Sequence, residues 1–403
     1  MAAPLGIEMK KLSLILFFSV SLLWGTLGIT PVFAGADQIF FPPTAPPVLE
    51  DLLLGYITTI AGTGAWGYNG DEIPATEAQL NEPRRIAFDG QGNIYIGDAA
   101  NERIRYIDPS GMIHTFAGTG NPGYNGDGIP AKEADLNNPR GIAVDIPNNL
   151  VYMSEGLGNR IRRVDSNGII STYAGTGEPT ENRNDPSYNG DERPATEAKL
   201  SYPYGLALDR EGNLYIADMS NHRIRMVDTN GIIHTVAGTG EPGYNGDGIL
   251  AIEAQLNRPG GVAVDSHGNL YIADALNNRI RKVDQKGIIH TIAGTGETGY
   301  NGDKIPATEA TLWLPRDVAA NQAGVIFIAD SSNDRVRVIL KNGMIQTIAG
   351  TGKKGYNGDT IPARKASLWN PRGVAIDING NLYIADKFNA RIRFILLNSP
   401  QPE

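Results

Sequence analysis

Cysteine is absent from the 403 residues. The fold is therefore held by packing and backbone pairing, without a disulfide framework. A chain of this length can bury a core large enough for that. Excess positive charge is missing as well: 35 Lys and Arg stand against 44 Asp and Glu, for a formal net charge of −9 and an isoelectric point near 5.2. Such a field repels phosphate backbones and argues against general nucleic-acid binding. Histidines number only five, and aromatic residues make up 7% with four tryptophans. Beyond residue 34 no segment is apolar enough to span a bilayer.

The first 34 residues read as an export signal, with Lys10 and Lys11 before an apolar run from Leu12 to Ile29 and a Val32-Phe33-Ala34 cleavage pattern. Met9 offers a second start just before the lysines. Removal of the signal gives an exported chain, periplasmic, cell-surface or secreted, with no stable membrane span; retention as an anchor is the alternative. Residues 35–55 include Phe41-Pro42-Pro43-Thr44-Ala45-Pro46-Pro47 and read as an extended linker. A repeat region follows at 56–398, and 399–403 is a tail.

What the chain has in abundance is repetition. One unit is written six times, each with Ala-Gly-Thr-Gly, Tyr-Asn-Gly-Asp, a strand opening on Pro, a run like Leu-Tyr-Ile-Ala-Asp, and Arg-Ile-Arg or a close variant. The first glycine of Ala-Gly-Thr-Gly falls at Gly62, Gly118, Gly175, Gly238, Gly294 and Gly350. A period near 56 residues marks a solenoid, propeller or array. Within the fourth copy, Gly261 to Asp265, Asn269 to Asp274, Arg279 to Asp284 and Ile288 to Ala293 are four short β-branched or aromatic runs separated by Gly, Asn and Asp turns. Four antiparallel strands repeated radially make an all-β, six-bladed β-propeller. The last copy supplies only three strands, and Tyr56 to Ala61 reads as the orphan fourth that closes the ring.

These motifs resemble the NHL family of six-bladed propellers, and the insert Gly118 to Gly128 is similar to the NHL region of teneurins and of exported bacterial NHL proteins. The resemblance covers about residues 56 to 398. It implies the fold and a range of binding roles: protein-binding, RNA-binding, and extracellular sensor or adhesion domains. Relatives of the family also include an amidating lyase and metal-dependent lactonases, so fold alone does not choose the activity.

The recurring residues read as scaffold. Tyr-Asn-Gly-Asp, as at Tyr68 to Asp71, offers too few carboxylates for a calcium cage and reads as an Asn-Gly turn closed locally by its Asp. The Asp ending the second strand and the Arg opening the third, as in Asp98 with Arg103 and Asp274 with Arg279, are expected to pair across one turn. Pro-Ala-x-Glu-Ala-x-Leu segments are expected to make one or two helical turns with Pro in the first position. His114, His234 and His290 share a position on the outermost strand; with His222 and His267 in separate turns, no zinc-ligand set assembles, and no metal or cofactor is expected.

Function is expected where equivalent positions differ. After the Pro that enters the innermost strand stand Arg84, Arg140, Tyr204, Gly260, Arg316 and Arg372, with Arg85 and Asp317 next in two copies. Arginine forks suit carboxylate, phosphate or sulfated-sugar groups, or pair with acids of neighbouring loops. Two positions before that Pro, Trp313 and Trp369 replace the Asn or Ser of other copies, and Trp66 lies next around the ring. The third insert carries extra residues near 178 to 186. The leading expectation is a non-catalytic binding scaffold that contacts a protein, glycan or anionic ligand through its insert-bearing face. The alternative is a metal-dependent enzyme of lactonase or lyase type with its site at the channel mouth.

Overall fold

A computed structural model of the protein describes residues 55–178 and 187–397. The expected leader, nearly all of the linker, residues 179–186 of the third insert and the tail lie outside the described residues. Six antiparallel sheets follow one another along the chain. In the first, Pro83–Phe88, Ile94–Asp98, Arg103–Ile107 and Met112–Ala117 run outward from the axis in sequence order. The four-stranded expectation holds for order and pairing, and each sheet gains a fifth strand of two residues. Ile73–Pro74, for example, lies against the outermost strand in the register Ile73↔Ile113, Pro74↔Met112.

Neighbouring innermost strands touch all the way round, and Pro371–Ile376 meets Pro83–Phe88, so the ring closes at six blades. The closing blade is built from both ends of the repeat region: Tyr56–Ala61 pairs with Arg391–Ile395 in the register Ile57↔Ile395, Thr58↔Phe394. Ile57 and Ala61 are fully buried there. Apolar clusters sit between successive blades, as where Ile57, Ile384 and Ile395 of the last blade pack on Phe327 and Val338 of the fifth. Each blade thus buries its faces on its neighbours.

The insert before each blade starts on the face that carries the turn after the second strand, called the upper face, where Gly67 O accepts from Asn101. It then runs along the outer edge of the blade. Asn69 holds its two arms together, donating to Glu77 O (2.9 Å) and accepting from Gln79 N (2.7 Å). The Asp71 carboxylate accepts from Arg105 (2.9 Å) and Thr115 (3.0 Å) of its own blade; in three other copies the Asp also closes the turn locally as expected, as Asp191 does by accepting from the Tyr188 hydroxyl (2.9 Å). Tyr68 lies beneath both Arg103 and Arg105, at 3.9 and 4.8 Å from ring centre to guanidinium. The motif is a clamp that ties each insert to its blade. The Pro-Ala-x-Glu segments form a single 3-10 turn, Ala75–Glu77, with Pro74 as its cap, instead of longer helical turns.

The expected pairing of Asp98 with Arg103 is also corrected. Those residues face each other in strand register, but the carboxylate of Asp98 accepts from Asn81 N and Asn101 (both 2.7 Å) and its nearest guanidinium, at 3.7 Å, is that of Arg105. Arg103 instead donates to Asn101 O and Thr119 O. That route crosses Gly120, at φ +94°, where a Cβ would lie 2.1 Å from the guanidinium; the second glycine of Ala-Gly-Thr-Gly is demanded by the first arginine of Arg-Ile-Arg. The middle arginine of every third strand, from Arg105 to Arg393, is fully buried between one acid of the insert and one acid of the second strand.

Candidate functional site

Where the chain enters the innermost strands it lays three tiers of side chains around the axis. The residues before the entering prolines, Glu82, Asn138, Tyr202, Arg258, Leu314 and Asn370, all have φ between 50 and 59°. A left-handed conformation before proline is disfavoured twice over, by its own Cβ and by the proline ring, and side chains such as Glu, Tyr and Leu adopt it only where the surroundings impose it. Next come Arg84, Arg140, Tyr204, Gly260, Arg316 and Arg372. Below them Arg85 reaches across the axis to pair with Asp317. Glycines hold the adjoining positions because that guanidinium passes close: a Cβ on Gly205 would lie 2.3 Å from Arg85 Nη2. The pair spans the axis below the second tier, and the two tiers above it line what is here called the cup, on the upper face.

Five of the seven residues singled out in the sequence meet in this cup. Arg84 and Arg140 are buried, Tyr204 is almost wholly buried, and Arg316 and Arg372 are half-buried. Arg84 Nη1 lies 3.5 Å from Tyr204 Oη, and Arg84 Nη2 lies 2.5 Å from Glu82. Arg140 Nε donates to Asn138 (2.5 Å), its Nη2 donates to Tyr202 Oη, and its guanidinium stacks over the rings of Tyr202 (4.2 Å) and Tyr204 (5.2 Å). Arg372 Nε donates to Asn370 (2.7 Å). Arg316 Nε is buried with no hydrogen-bond partner, as is Arg84 Nε. Gly260 contributes no side chain to the second tier, and the fourth blade enters the cup through Arg258 of the first.

The charges press on one another. Burial raises the Tyr204 phenol, but Arg84, Arg372, Arg140 and Arg316 together outweigh it and bring the group down to about 6. Burial, then Arg84, lowers Arg140 to about 9; burial, then Arg372, lowers Arg316 to about 10. Lys387, in the turn after the last blade's second strand, is brought to about 8 by burial and by Arg84 and Arg372. Burial works against the charge of Glu82, yet Arg84 and Lys387 hold its carboxyl below the usual range. Arg84, Arg140, Arg316, Arg372 and Lys387 thus share a cup in which Glu82 is the carboxylate engaged directly.

Glu82 and Lys387 also mark the seam where the ring closes. At the other five seams the first-tier N–H donates to a side chain of the preceding blade: Asn138 to Glu102, Tyr202 to Asn159 (2.9 Å), Arg258 to His222 Nδ1 (3.1 Å), Leu314 to Asn278 (3.0 Å) and Asn370 to Asp334 (2.8 Å). At the sixth, Ala390 has no acceptor to offer, and Lys387 Nζ pairs with Glu82 Oε1 at 2.9 Å.

The two tryptophans do not converge. Trp369, 38% exposed, packs at 5.4 Å on Phe388, which also stacks with Trp66 at 6.2 Å. Trp313, at the equivalent place on the fifth blade and 45% exposed, has no aromatic neighbour among the described residues. His114, His234 and His290 pair with acids on the outer edges of separate blades, and no group of three or more metal-ligating side chains occurs among the described residues. Sequence reasoning missed Glu82, Tyr202, Lys387 and Phe388. The signal was available, since each departs from its counterparts in the other copies, as Lys387 does from Ala99, Gly156, Met219, Ala275 and Ser331.

Six antiparallel sheets in a ring closed by both ends of the repeat region define a six-bladed β-propeller. The family model for the teneurin NHL domain matches residues 65–124, 120–188, 173–242 and 239–301, and the chain belongs to that family. Mouse teneurin-4 is 29% identical over 355 residues, covering 80% of this chain and 12% of that protein; mouse teneurin-1 is 27% identical over 403 residues, covering 91% and 14%. The chain therefore spans about an eighth of the length of the teneurins it matches. The chloroplastic Arabidopsis thaliana protein SUPPRESSOR OF QUENCHING 1 is 28% identical over 337 residues, 79% of this chain and 30% of its own. Among solved structures, an auxiliary nutrient binding protein from Bacteroides thetaiotaomicron superposes with a TM-score of 0.61 at 16% identity, covering 85% of this chain and 76% of its own. A Xanthomonas campestris gluconolactonase does so with 0.53 at 13% identity, covering 91% and 98%. At such identities the likeness is one of fold.

Proposed function

We propose that the protein is an exported, non-catalytic binding propeller whose upper cup takes an anionic group. The observation that carries this is Arg316: a half-buried guanidinium near Arg372, Arg84 and Arg258 that, unlike the paired scaffold arginines, makes no hydrogen bond or ion pair among the described residues. Such a group costs stability, because desolvation and like charges both oppose it, and an incoming anion supplies what it lacks. Arginine presents its donors as a planar fork, matched to carboxylate, sulfate or phosphate oxygens. The teneurin NHL kinship and the nutrient-binding name of a fold neighbour accord with a binding role outside the cytoplasm. No helix among the described residues is long and apolar enough to cross a membrane.

Isothermal titration with sulfate tests the reading, because sulfate keeps its charge between pH 5 and 8. Arg316→Ala and Arg372→Ala should each weaken sulfate by about tenfold or more, the worth of one charge-assisted hydrogen bond. Arg316→Ala should leave the melting temperature unchanged or raise it. The pH dependence has a defined sign. Above about 6 Tyr204 carries a negative charge that competes with the anion, and below that value it is neutral, so sulfate should bind more tightly at pH 5 than at pH 8. Lys387, losing its proton near 8, acts in the same direction. Tyr204→Phe should tighten binding at pH 8 and flatten the profile. Unchanged sulfate affinity in the arginine variants, or a marked loss of stability in Arg316→Ala, contradicts the proposal.

A further inference from the structure

The closing seam carries a second feature that the anion reading leaves unused. Trp66, Trp369 and Phe388 form an aromatic cluster on the upper face, with both indoles substantially exposed (54% and 38%). None is shared by all six copies, Trp369 having a counterpart only in Trp313 of the fifth. Where Phe388 stands, the other copies have Ala100, Leu157, Ser220, Leu276 and Ser332; where Trp66 stands, four of them have Pro122, Pro242, Thr298 and Lys354. Three separate segments, the first insert, the last insert and the last upper turn, place an aromatic residue at one seam. A ring used only to seal the seam would be covered, as Tyr383 and Tyr95 are elsewhere in the molecule.

The cluster is wired to the arginine cup. Lys387 Nζ lies 3.9 Å from the centre of the Phe388 ring and 2.9 Å from Glu82, whose other oxygen holds Arg84, and Arg84 reaches Tyr204. The exposed indoles of Trp66 and Trp369, bordered by polar groups, match a ring that presents C–H bonds on one side and hydroxyls at its rim. A cationic guest for the same faces is opposed by Lys387, Arg84 and Arg372 beside them. Because Lys387 touches both the Phe388 ring and Glu82 of the cup, a guest suited to both features carries its negative charge close to the stacked face, as when a carboxylate or sulfate is attached directly to a sugar.

We propose that the ligand is an anionic saccharide, its sugar ring stacked on an exposed indole of the Trp66–Phe388–Trp369 cluster and its acidic group seated in the arginine cup. This rests on the anion reading of the cup and extends it to the class of molecule bound. An acidic peptide is the rival guest, since it brings the charge without the ring.

The test titrates the full chain with trigalacturonate, its methyl ester, a 6-O-sulfated disaccharide, triglutamate and sulfate alone. At least one of the two acidic saccharides should bind ten times or more tightly than sulfate, methyl ester or triglutamate, and should quench tryptophan fluorescence. Trp369→Ala and Trp66→Ala should each lower that saccharide's affinity fivefold or more while leaving sulfate affinity unchanged. Trp66→Phe, which keeps a ring at the seam, guards against loss of folding in the alanine variant and should retain most of the binding. Triglutamate binding as tightly as the saccharides, or saccharide affinity indifferent to both tryptophans, overturns the proposal while sulfate binding stands. Absence of any sulfate binding removes the anion reading itself.

Discussion

Deleting Tyr56–Ala61 should abolish the cooperative unfolding transition of the protein. The deletion removes the whole fourth strand of the closing blade, strips the Arg391–Ile395 edge of its partner, and uncovers an apolar interface between the last two blades. An unpaired strand edge beside exposed apolar surface is also a template for association, so calorimetry should show a broad or absent transition and sedimentation should show aggregates. Point substitutions grade the effect. Ile57 is fully buried while Tyr56 is 54% exposed; Ile57→Ala should cost about 2–5 kcal/mol, and Tyr56→Ala should fall within about 0.5 kcal/mol of the parent. Equal effects would mean that the strand does not close the ring.

Arg281→Met should destabilise the protein by about 3–5 kcal/mol, the usual result of leaving a buried charge without its partner. Arg281 is fully buried, 2.9 Å from Asp247 and 3.5 Å from Asp274, and Asp274 has no exposure at all. Burial already raises the Asp274 carboxyl to about 6 against the pull of its hydrogen bonds and of Arg281. Without the arginine it rises further. A group whose folded value lies above its unfolded value loses stability as pH rises through the folded value, and its penalty vanishes below the unfolded value. The gap between variant and parent should therefore narrow as pH falls from 7 toward 4. Asp274→Asn in the same chain should recover part of the loss. Arg279→Met, which removes the arginine first expected to pair with Asp274, should cost far less, because that side chain caps the carbonyls of Asn277 and Thr295 at the surface. A larger loss from Arg279→Met than from Arg281→Met would reverse the assignment.

The arginine pair shows where sequence reading reached and where it stopped. Six in-register copies reveal blade number, strand order and closure by Tyr56–Ala61, because a period repeated along the chain is insensitive to local error. The fifth strand was illegible: Ile73–Pro74 is too short to show any alternation. The choice between Arg103 and Arg105 as partner of Asp98 depends on which arginine turns into the blade, and both fit the spacing. At the cup, comparing equivalent positions found Arg84, Arg140, Tyr204, Arg316 and Arg372 but not the tier before the prolines. A residue there is expected to be extended, whereas all six, Glu82 and Tyr202 among them, are left-handed. Lys387 and Phe388 depart visibly from their counterparts but were passed over because they lie in a turn read as structural bracing.

The central claim is that the cup holds an anion against its arginines. A crystal soaked in selenate gives the most direct measurement, because selenium scatters anomalously and reports position without assumption. The account predicts a peak on the upper face among Arg84, Arg316, Arg372 and Tyr204, with an oxygen in hydrogen-bond reach of Arg316. Peaks only on the outer edges of the blades, with the cup lacking selenium at saturating selenate, would contradict it.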